Sequence, residues 1–447
     1  MDAFSALESI LPASARKTPE GHLEVGGVDL VSLASEFGTP LYVYDADHLK
    51  QMCARYITAF QSKSPPHGRV VYASKAFPAV AMIRLALGSG LGIDVAGPGE
   101  LYAALQAGAD GSEIYFHGNA KSHQEISMGI QAGVGRFVVD NIHELYKIEE
   151  VLSSCEQHRT SRQRQKVLIR ITPGIEAHTH EFINTGHLDS KFGFYLSDGS
   201  AEAALKEAAS CRNIEPVGIH LHIGSQILEL EPFAEAARVA VEFMATIRHK
   251  LSIALEEVNF GGGLGATYTP ADDPPSVEDY AACLKNAVKE SCEASGLPLP
   301  VVVVEPGRSI TANAGLTLYT VQSVKRTPTG RTYVAVDGGM SDNLRPMLYG
   351  ATYHALIANK LNEDHSLQAT LAGKHCESGD VLIDRASMAT SVDAGDIVAT
   401  PATGAYGWSM SSNYNGQPRA AIVFVESGKA ELVVERESID DLLRLQH

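Results

Sequence analysis

Residues 70–80 read VVYASKAFPAV: a short apolar run, a lysine, and a proline three residues further on. Val70, Val71 and Tyr72 favour extended chain, and Pro78 suits the first turn of a helix. Lys75 is therefore expected on a strand-to-helix turn. Taken alone, a lysine there reads as a solvated loop side chain. The segments on either side decide what it is.

Seven more apolar runs follow, each ending in a polar or glycine-rich turn: LGIDVAG, EIYFHGNAKS, RFVVDN, KVLIRITPG, PVGIHLHIGSQ, EVNFGGGLG and PVVVVEPGRSI. Nearly continuous apolar runs suit parallel strands covered on both faces. Helical patterns such as PAVAMIRLALGS and PFAEAARVAVEFMATIRHKL lie between them. Eight alternations of strand and helix predict an α/β fold with a (β/α)8 TIM barrel over residues 46–310. A doubly wound open sheet is the alternative, but it seldom uses eight evenly placed units.

Beyond 310 the alternation stops. LTLYTVQSVKRTPTGRTYVAVDGG, GDIVATPAT and AAIVFVESGKAELVVER read as strands joined by hairpins, so residues 311–447 are expected to form a mostly antiparallel β domain. Residues 1–45, with HLEVGGVDL and TPLYVYD, carry β signal and are expected to join that sheet. Segment 174–199 is too polar and too long for an ordinary connection, and reads as a functional or mobile loop.

The chain has 447 residues, 45% of them hydrophobic and 20% charged, with a net charge of −17. That balance argues against a nucleic-acid partner. The opening MDAFSALESILPASARK has no basic stretch before an apolar core, unlike a secretory signal, and no run is long enough to span a membrane. Cysteines 53, 155, 211, 283, 292 and 376 form no CxxC pair and no zinc spacing, which fits reduced thiols in the cytoplasm and no metal.

Chemistry on such a barrel gathers at the C-terminal ends of the strands. Those ends carry Lys75, Asp94, His117 and Asn119, Asn141, Arg170, His222, Gly261–Gly263, and Glu305 with Arg308. The glycines of NFGGGLG let backbone N–H groups approach an anion, although a plain tight turn would use them too. The spacing is not that of a dinucleotide motif. His220 and His222 share one side of a strand, where a structural histidine is the competing account. In EPGR the competing account is an ion pair between Glu305 and Arg308. Taken together, a lysine, a phosphate cradle, a stacking ring and a buried carboxylate are what pyridoxal 5′-phosphate requires. Lys75 is better read as that cofactor's covalent anchor.

From GTPLYVYD at 38–45 to GAYGWSMSSNYNGQPR at 404–419, the chain resembles the diaminopimelate decarboxylases, fold type III pyridoxal phosphate enzymes of alanine-racemase-like architecture. YASKA, HTHEFINTGHLDSKFGF, HLHIGSQ, GGGLG, EPGR, DNLRPMLYG, CESGD and GAYGWSMSSNYN carry the likeness. The resemblance implies that Lys75 bonds the cofactor and His222 stacks on its ring. It implies that Ser225, Gly261, Gly262, Gly263 and the backbone of Pro306 and Gly307 hold the phosphate, and that Glu305 pairs with the ring nitrogen. Arg308, Arg345, Tyr349 and Tyr406 would bind substrate, with Arg308 and Tyr406 also at the cofactor. Cys376, as proton donor, and Glu377, at the substrate's distal ammonium, would come from the second subunit of a homodimer. Two guanidinium groups and a carboxylate suit a substrate with two amino-acid heads. The implied reaction converts meso-2,6-diaminopimelate to L-lysine and CO2, the last step of lysine biosynthesis. Decarboxylases of ornithine, arginine or carboxynorspermidine are the nearest rivals, and their diamine-tailed substrates lack a distal carboxylate. A racemase would need a second base facing Lys75, which the sequence does not identify. A non-catalytic relative would have no use for this full set of groups. Lys374 and His375, before the cysteine, and DVAGPGELY near 97 depart from the usual family pattern.

Overall fold

The computed structural model describes residues 2–61, 66–154, 164–175 and 191–447. Most of the expected loop at 174–199, much of HTHEFINTGHLDSKFGF, and Cys155 lie outside the described residues. The chain divides into two compact units, one of residues 53–265 and 274–307, the other of 1–52, 266–273 and 308–447.

The strands used below are β1 (Leu41–Asp45), β2 (Gly68–Ala73), β3 (Gly92–Val95), β4 (Ile114–Phe116), β5 (Arg136–Val139), β6 (Gln165–Thr172), β7 (Ile214–His220), β8 (Glu257–Asn259) and β9 (Val301–Val304). In the first unit β2 to β9 pair in chain order, all parallel, and β9 closes on β2 through Val302–Gly68, Val303–Arg69 and Val304–Val70. This is the expected barrel. Its eight strands coincide with the eight apolar runs because each run is buried on both faces, from the Val70–Ala73 stretch to Val302–Val304.

Inside the barrel an apolar layer of Val71, Tyr115, Val138, Leu168, Val217 and Val303 fills the middle. At the end where the strands begin, Glu257 accepts from the Tyr115 hydroxyl at 2.7 Å and from Arg136 at 3.1 Å, while Arg69 donates to Tyr115 at 3.0 Å. The barrel is thus plugged on one side, and its chemistry is left to the other.

The second unit is built on a mixed sheet. Its strands are β10 (Gly315–Arg326), β11 (Thr332–Val336), β12 (Leu356–Ile357), β13 (Leu367–Ala372), β14 (Val381–Met388), β15 (Ile397–Pro401), β16 (Ala421–Glu426) and β17 (Lys429–Val434). The order is β14-β13-β11-β10-β1-β16-β17, with β15 paired to β10 and β12 paired to β15. Most pairs are antiparallel, as the hairpin pattern predicts; β11–β13 and β1–β16 run parallel. TPLYVYD supplies β1, an interior strand of this sheet between β10 and β16. HLEVGGVDL does not join it: residues Arg16–Lys17, Leu23–Val25 and Val28–Asp29 form a small separate antiparallel sheet. Its Leu23 and Val25 still enter the same core as Val43, Leu318, Ala399 and Val423. No described helix is long and apolar enough to cross a membrane.

Candidate active site

Lys75 sits on a single 3-10 turn, Ser74–Ala76, directly after β2, and the next helix begins at Val80. Pro78 lies before the N-cap Ala79 rather than in the helix's first turn. The residue ahead of it, Phe77, takes the extended conformation that a following proline favours (φ −156°). The turn is pinned on several sides. The Ser74 hydroxyl donates to the Asp94 carbonyl at 2.7 Å, the Tyr72 hydroxyl to the Phe77 carbonyl at 3.0 Å, and Ala73 N–H to the Pro306 carbonyl at 3.1 Å. A Cβ on Gly307 would lie 2.9 Å from that of Ala76, so only glycine lets the EPGR turn pack this close. Ser74, Ala76 and Phe77 are buried while Lys75 itself is exposed.

Glu305, one residue beyond β9, is the hub of this barrel end. Its carboxylate accepts from His117 Nε2 at 2.8 Å, Asn259 Nδ2 at 2.7 Å and His220 Nε2 at 3.3 Å. Burial works against its ionisation, but the charge on His117 and the hydrogen bonds from His117 and His220 win and hold it well below the usual carboxylate range. Burial also opposes a charge on His117; Asp94 and Glu305 outweigh it and raise its pKa. Asp94, unlike Glu305, is pushed up to about 7, chiefly by burial. His220 is lowered to about 4, again by burial, and is therefore neutral. It donates its Nε2–H to Glu305, and its Nδ1 is buried without a partner among the described residues. The two rings meet edge to face, centroids 4.8 Å apart.

Asn259 joins this hub to the glycine turn, since its Oδ1 accepts from Gly261 N–H at 2.8 Å. Gly261 and Gly263 have φ of 63° and 123°, a region costly for other residues. A Cβ at 261 would come 2.8 Å from His222 Nδ1, and one at 263 would come 2.7 Å from the Gly224 carbonyl oxygen. Even Gly262, in ordinary backbone, has no room, because its Cβ would sit 2.5 Å from the Glu305 carbonyl oxygen. His222 lies two residues past β7, half-buried, with its pKa well below the ordinary value, first through burial and then through Lys75 and Arg170. Ser225 is half-buried beside Gln226, whose φ of 61° is unusual for a residue with a side chain. Arg170 lies 3.7 Å from Asp140, an ion pair beyond hydrogen-bonding range.

These residues fit pyridoxal phosphate. A carboxylate offers about four acceptor positions, and three of those on Glu305 are taken, leaving room for a ring N–H. The side-chain-free turn at 261–263 suits a phosphate group. A neutral imidazole at 222 suits stacking on a cationic ring.

The predicted substrate groups fall in the other unit, in two clusters. In the first, Arg308 and Arg345 are both buried and both lie over the Tyr268 ring, at 5.6 and 4.8 Å from its centroid. Arg308 donates to the Tyr268 hydroxyl, and Arg345 to that of Tyr353. Burial would raise the Tyr268 phenol, but the two guanidinium charges prevail and lower it. Tyr406 stacks on Arg308 at 4.9 Å with φ of 61°, and Tyr349 lies 6.0 Å from Arg345. In the second cluster, Cys376 and Glu377 occupy the exposed turn between β13 and β14. Asn415 Oδ1 accepts from Cys376 N–H at 3.3 Å, and the Tyr414 hydroxyl bonds the Glu377 carboxylate.

Sequence reading left several members of these clusters out of the site. Asn259 is marked only by preceding the glycine run, and His117 only by ending a strand. Tyr268 and Tyr353 look like core aromatics, and nothing local in the sequence tells them apart from the other buried tyrosines.

Comparison with known proteins agrees with this geometry. Residues 47–312 match the family model described as pyridoxal-dependent decarboxylase, pyridoxal binding domain. The diaminopimelate decarboxylase of Bacillus subtilis (strain 168) is 45% identical over 435 residues, covering 97% of each chain. That of Halalkalibacterium halodurans is 46% identical over 432 residues, again covering 97% of each. The crystal structure of diaminopimelate decarboxylase from M. jannaschii in complex with L-lysine superposes with a TM-score of 0.89 at 34% identity, covering 97% of this chain and 98% of that one. A lysine/ornithine decarboxylase from Vibrio vulnificus, at 23% identity and a TM-score of 0.74 over 89% of this chain and 98% of its own, shares the fold. With the barrel, the ionised Glu305 hub and full-length likeness at this identity, the chain belongs to the diaminopimelate decarboxylase family of pyridoxal-dependent decarboxylases.

Proposed function

We propose that this protein is a pyridoxal 5′-phosphate-dependent carboxy-lyase that converts meso-2,6-diaminopimelate to L-lysine and CO2, the last step of lysine biosynthesis. The observation that carries the reading is Glu305, a buried carboxylate kept ionised by His117 and His220 at the C-terminal end of the barrel. The bound cofactor supplies an electron sink for the pair released as CO2 leaves. The rest is done by side chains. Lys75 would hold the cofactor through its Nζ. Glu305 would pair with the cofactor's ring nitrogen, and neutral His222 would stack on its ring. Ser225 and the backbone of Gly261–Gly263, Pro306 and Gly307 hold the phosphate, with Arg308 and Tyr406 contributing to both cofactor and substrate. Arg345 receives the distal carboxylate, beside Tyr349, and Glu377 receives the distal ammonium. Cys376 delivers a proton from Sγ to the carbon that has lost CO2. Cys376 and Glu377 serve the site of the partner subunit in a homodimer.

Arg345 favours this substrate over the diamine-tailed rivals, which would leave its charge unanswered in a buried position. Free thiols at Cys53, Cys211, Cys283, Cys292 and Cys376 support a reducing, cytoplasmic setting. The test is Lys75→Ala. After dialysis this variant should lose the visible absorption of the lysine-bound cofactor and release no CO2 from diaminopimelate. A variant that keeps both overturns the assignment.

A further inference from the structure

The 374–380 turn is held from two sides. Asp380, buried at its base, accepts from His375 N–H at 2.9 Å and Met340 N–H at 2.7 Å, and Asp380 N–H returns to the Glu377 carbonyl at 3.1 Å. His375 is buried too. Its Nε2 lies 2.9 Å from the Ser341 hydroxyl and 3.4 Å from Ser341 N–H, and its Nδ1 lies 3.3 Å from Asn415 Oδ1. The polar residue that departs from the family pattern at 375 thus braces the turn rather than the thiol. On the open side stands the 412–416 loop. Asn415, in left-handed backbone at φ 53°, takes the Cys376 N–H, while Tyr414 reaches Glu377 with its hydroxyl. The Tyr414 ring also lies 5.5 Å from that of His375.

Glu377 is exposed, and an exposed glutamate samples many rotamers that it must give up on binding a cation. The hydroxyl of Tyr414 removes that freedom in advance. It donates to Oε1 and leaves Oε2 to accept from an ammonium. The bond raises the phenol's pKa, as expected of a donor held by a carboxylate.

We propose that Tyr414 is a positioning residue for substrate specificity, fixing the Glu377 carboxylate in the rotamer that receives the ammonium of the substrate's distal head. This rests on the role given to Glu377 above. The general reason is preorganisation, because a receptor group already in its bound conformation binds more tightly.

The experiment compares two inhibitors in the holoenzyme. L-lysine carries a distal ammonium and carboxylate, whereas 6-aminohexanoate keeps the carboxylate and lacks the ammonium. Tyr414→Phe should weaken L-lysine by about tenfold, the scale of one hydrogen bond to a charged group, and leave 6-aminohexanoate unchanged. For diaminopimelate the loss should fall mainly on KM. Equal weakening of both inhibitors, or no weakening of L-lysine, overturns the inference. Glu377→Gln is measured alongside. If it erases the preference for L-lysine while Tyr414→Phe does not, the inference alone fails. If Glu377→Gln leaves that preference intact, the reading of Glu377 fails and takes the inference with it.

Discussion

Arg345 shows how a single residue carries a specificity argument. Its guanidinium is buried, lies 4.8 Å above the Tyr268 ring and donates to the Tyr353 hydroxyl. Phenol rings position a cation without neutralising it, so the charge remains to be met by an incoming carboxylate. Replacing Arg345 with Ala should lower kcat/KM for diaminopimelate about a hundredfold, since a bidentate, charge-assisted partner is lost in a dry setting. The visible absorption of the lysine-bound cofactor should persist, because Lys75 and the phosphate turn lie elsewhere in the chain. Lysine at 345 should rescue little, as it has neither the planar fork nor the stacking face. Steady-state kinetics on the two variants check this, and wild-type kcat/KM in Arg345→Ala would reopen the choice of substrate.

Among elements, the exits of β4 and β5 are tied together by a buried ion pair. Lys121 donates to the Gly118 and Val138 carbonyls at 2.8 and 2.9 Å and to Glu144 Oε1 at 2.7 Å. Glu144 in turn accepts from Asp140 N–H at 3.1 Å. Both side chains are 2% exposed, so neither charge can fall back on water. Lys121→Met should cost about 3–5 kcal/mol, because it strands a buried carboxylate. Adding Glu144→Gln should recover much of that loss, since glutamine keeps an acceptor for Asp140 N–H and carries no charge. Urea unfolding of the single and double variants measures the difference. A single variant as stable as the parent would show that the pair is dispensable. Nothing in HGNAKS distinguished this lysine from a surface one, because burial of a side chain is set by what packs over it.

At the scale of the whole molecule, the proposed sharing of sites between subunits has a direct test. Lys75→Ala and Cys376→Ala proteins should each be inactive alone. Mixed under conditions that exchange subunits, they should regain activity, because a mixed dimer has one site with both defects and one with neither. A statistical mixture then holds about a quarter of the wild-type sites. No recovery despite demonstrated exchange would place both residues in the site of one chain.

The eight barrel strands, the change to a mostly antiparallel domain, and the row of polar residues at the strand ends were legible in the sequence. Each is a local matter of apolar runs, their spacing and the turn residues that end them. Tertiary structure alone decided which polar ends meet. Glu305 bonds residues 188, 85 and 46 positions away in the chain, and those contacts exist only once β9 closes on β2 and the register of β7 and β8 is set. The same holds for Tyr268, which gathers Arg308 and Arg345 although it belongs to a short segment that packs outside the barrel unit. Periodicity reports which face of an element is buried, whereas partners are chosen by closure and register, which no short stretch encodes.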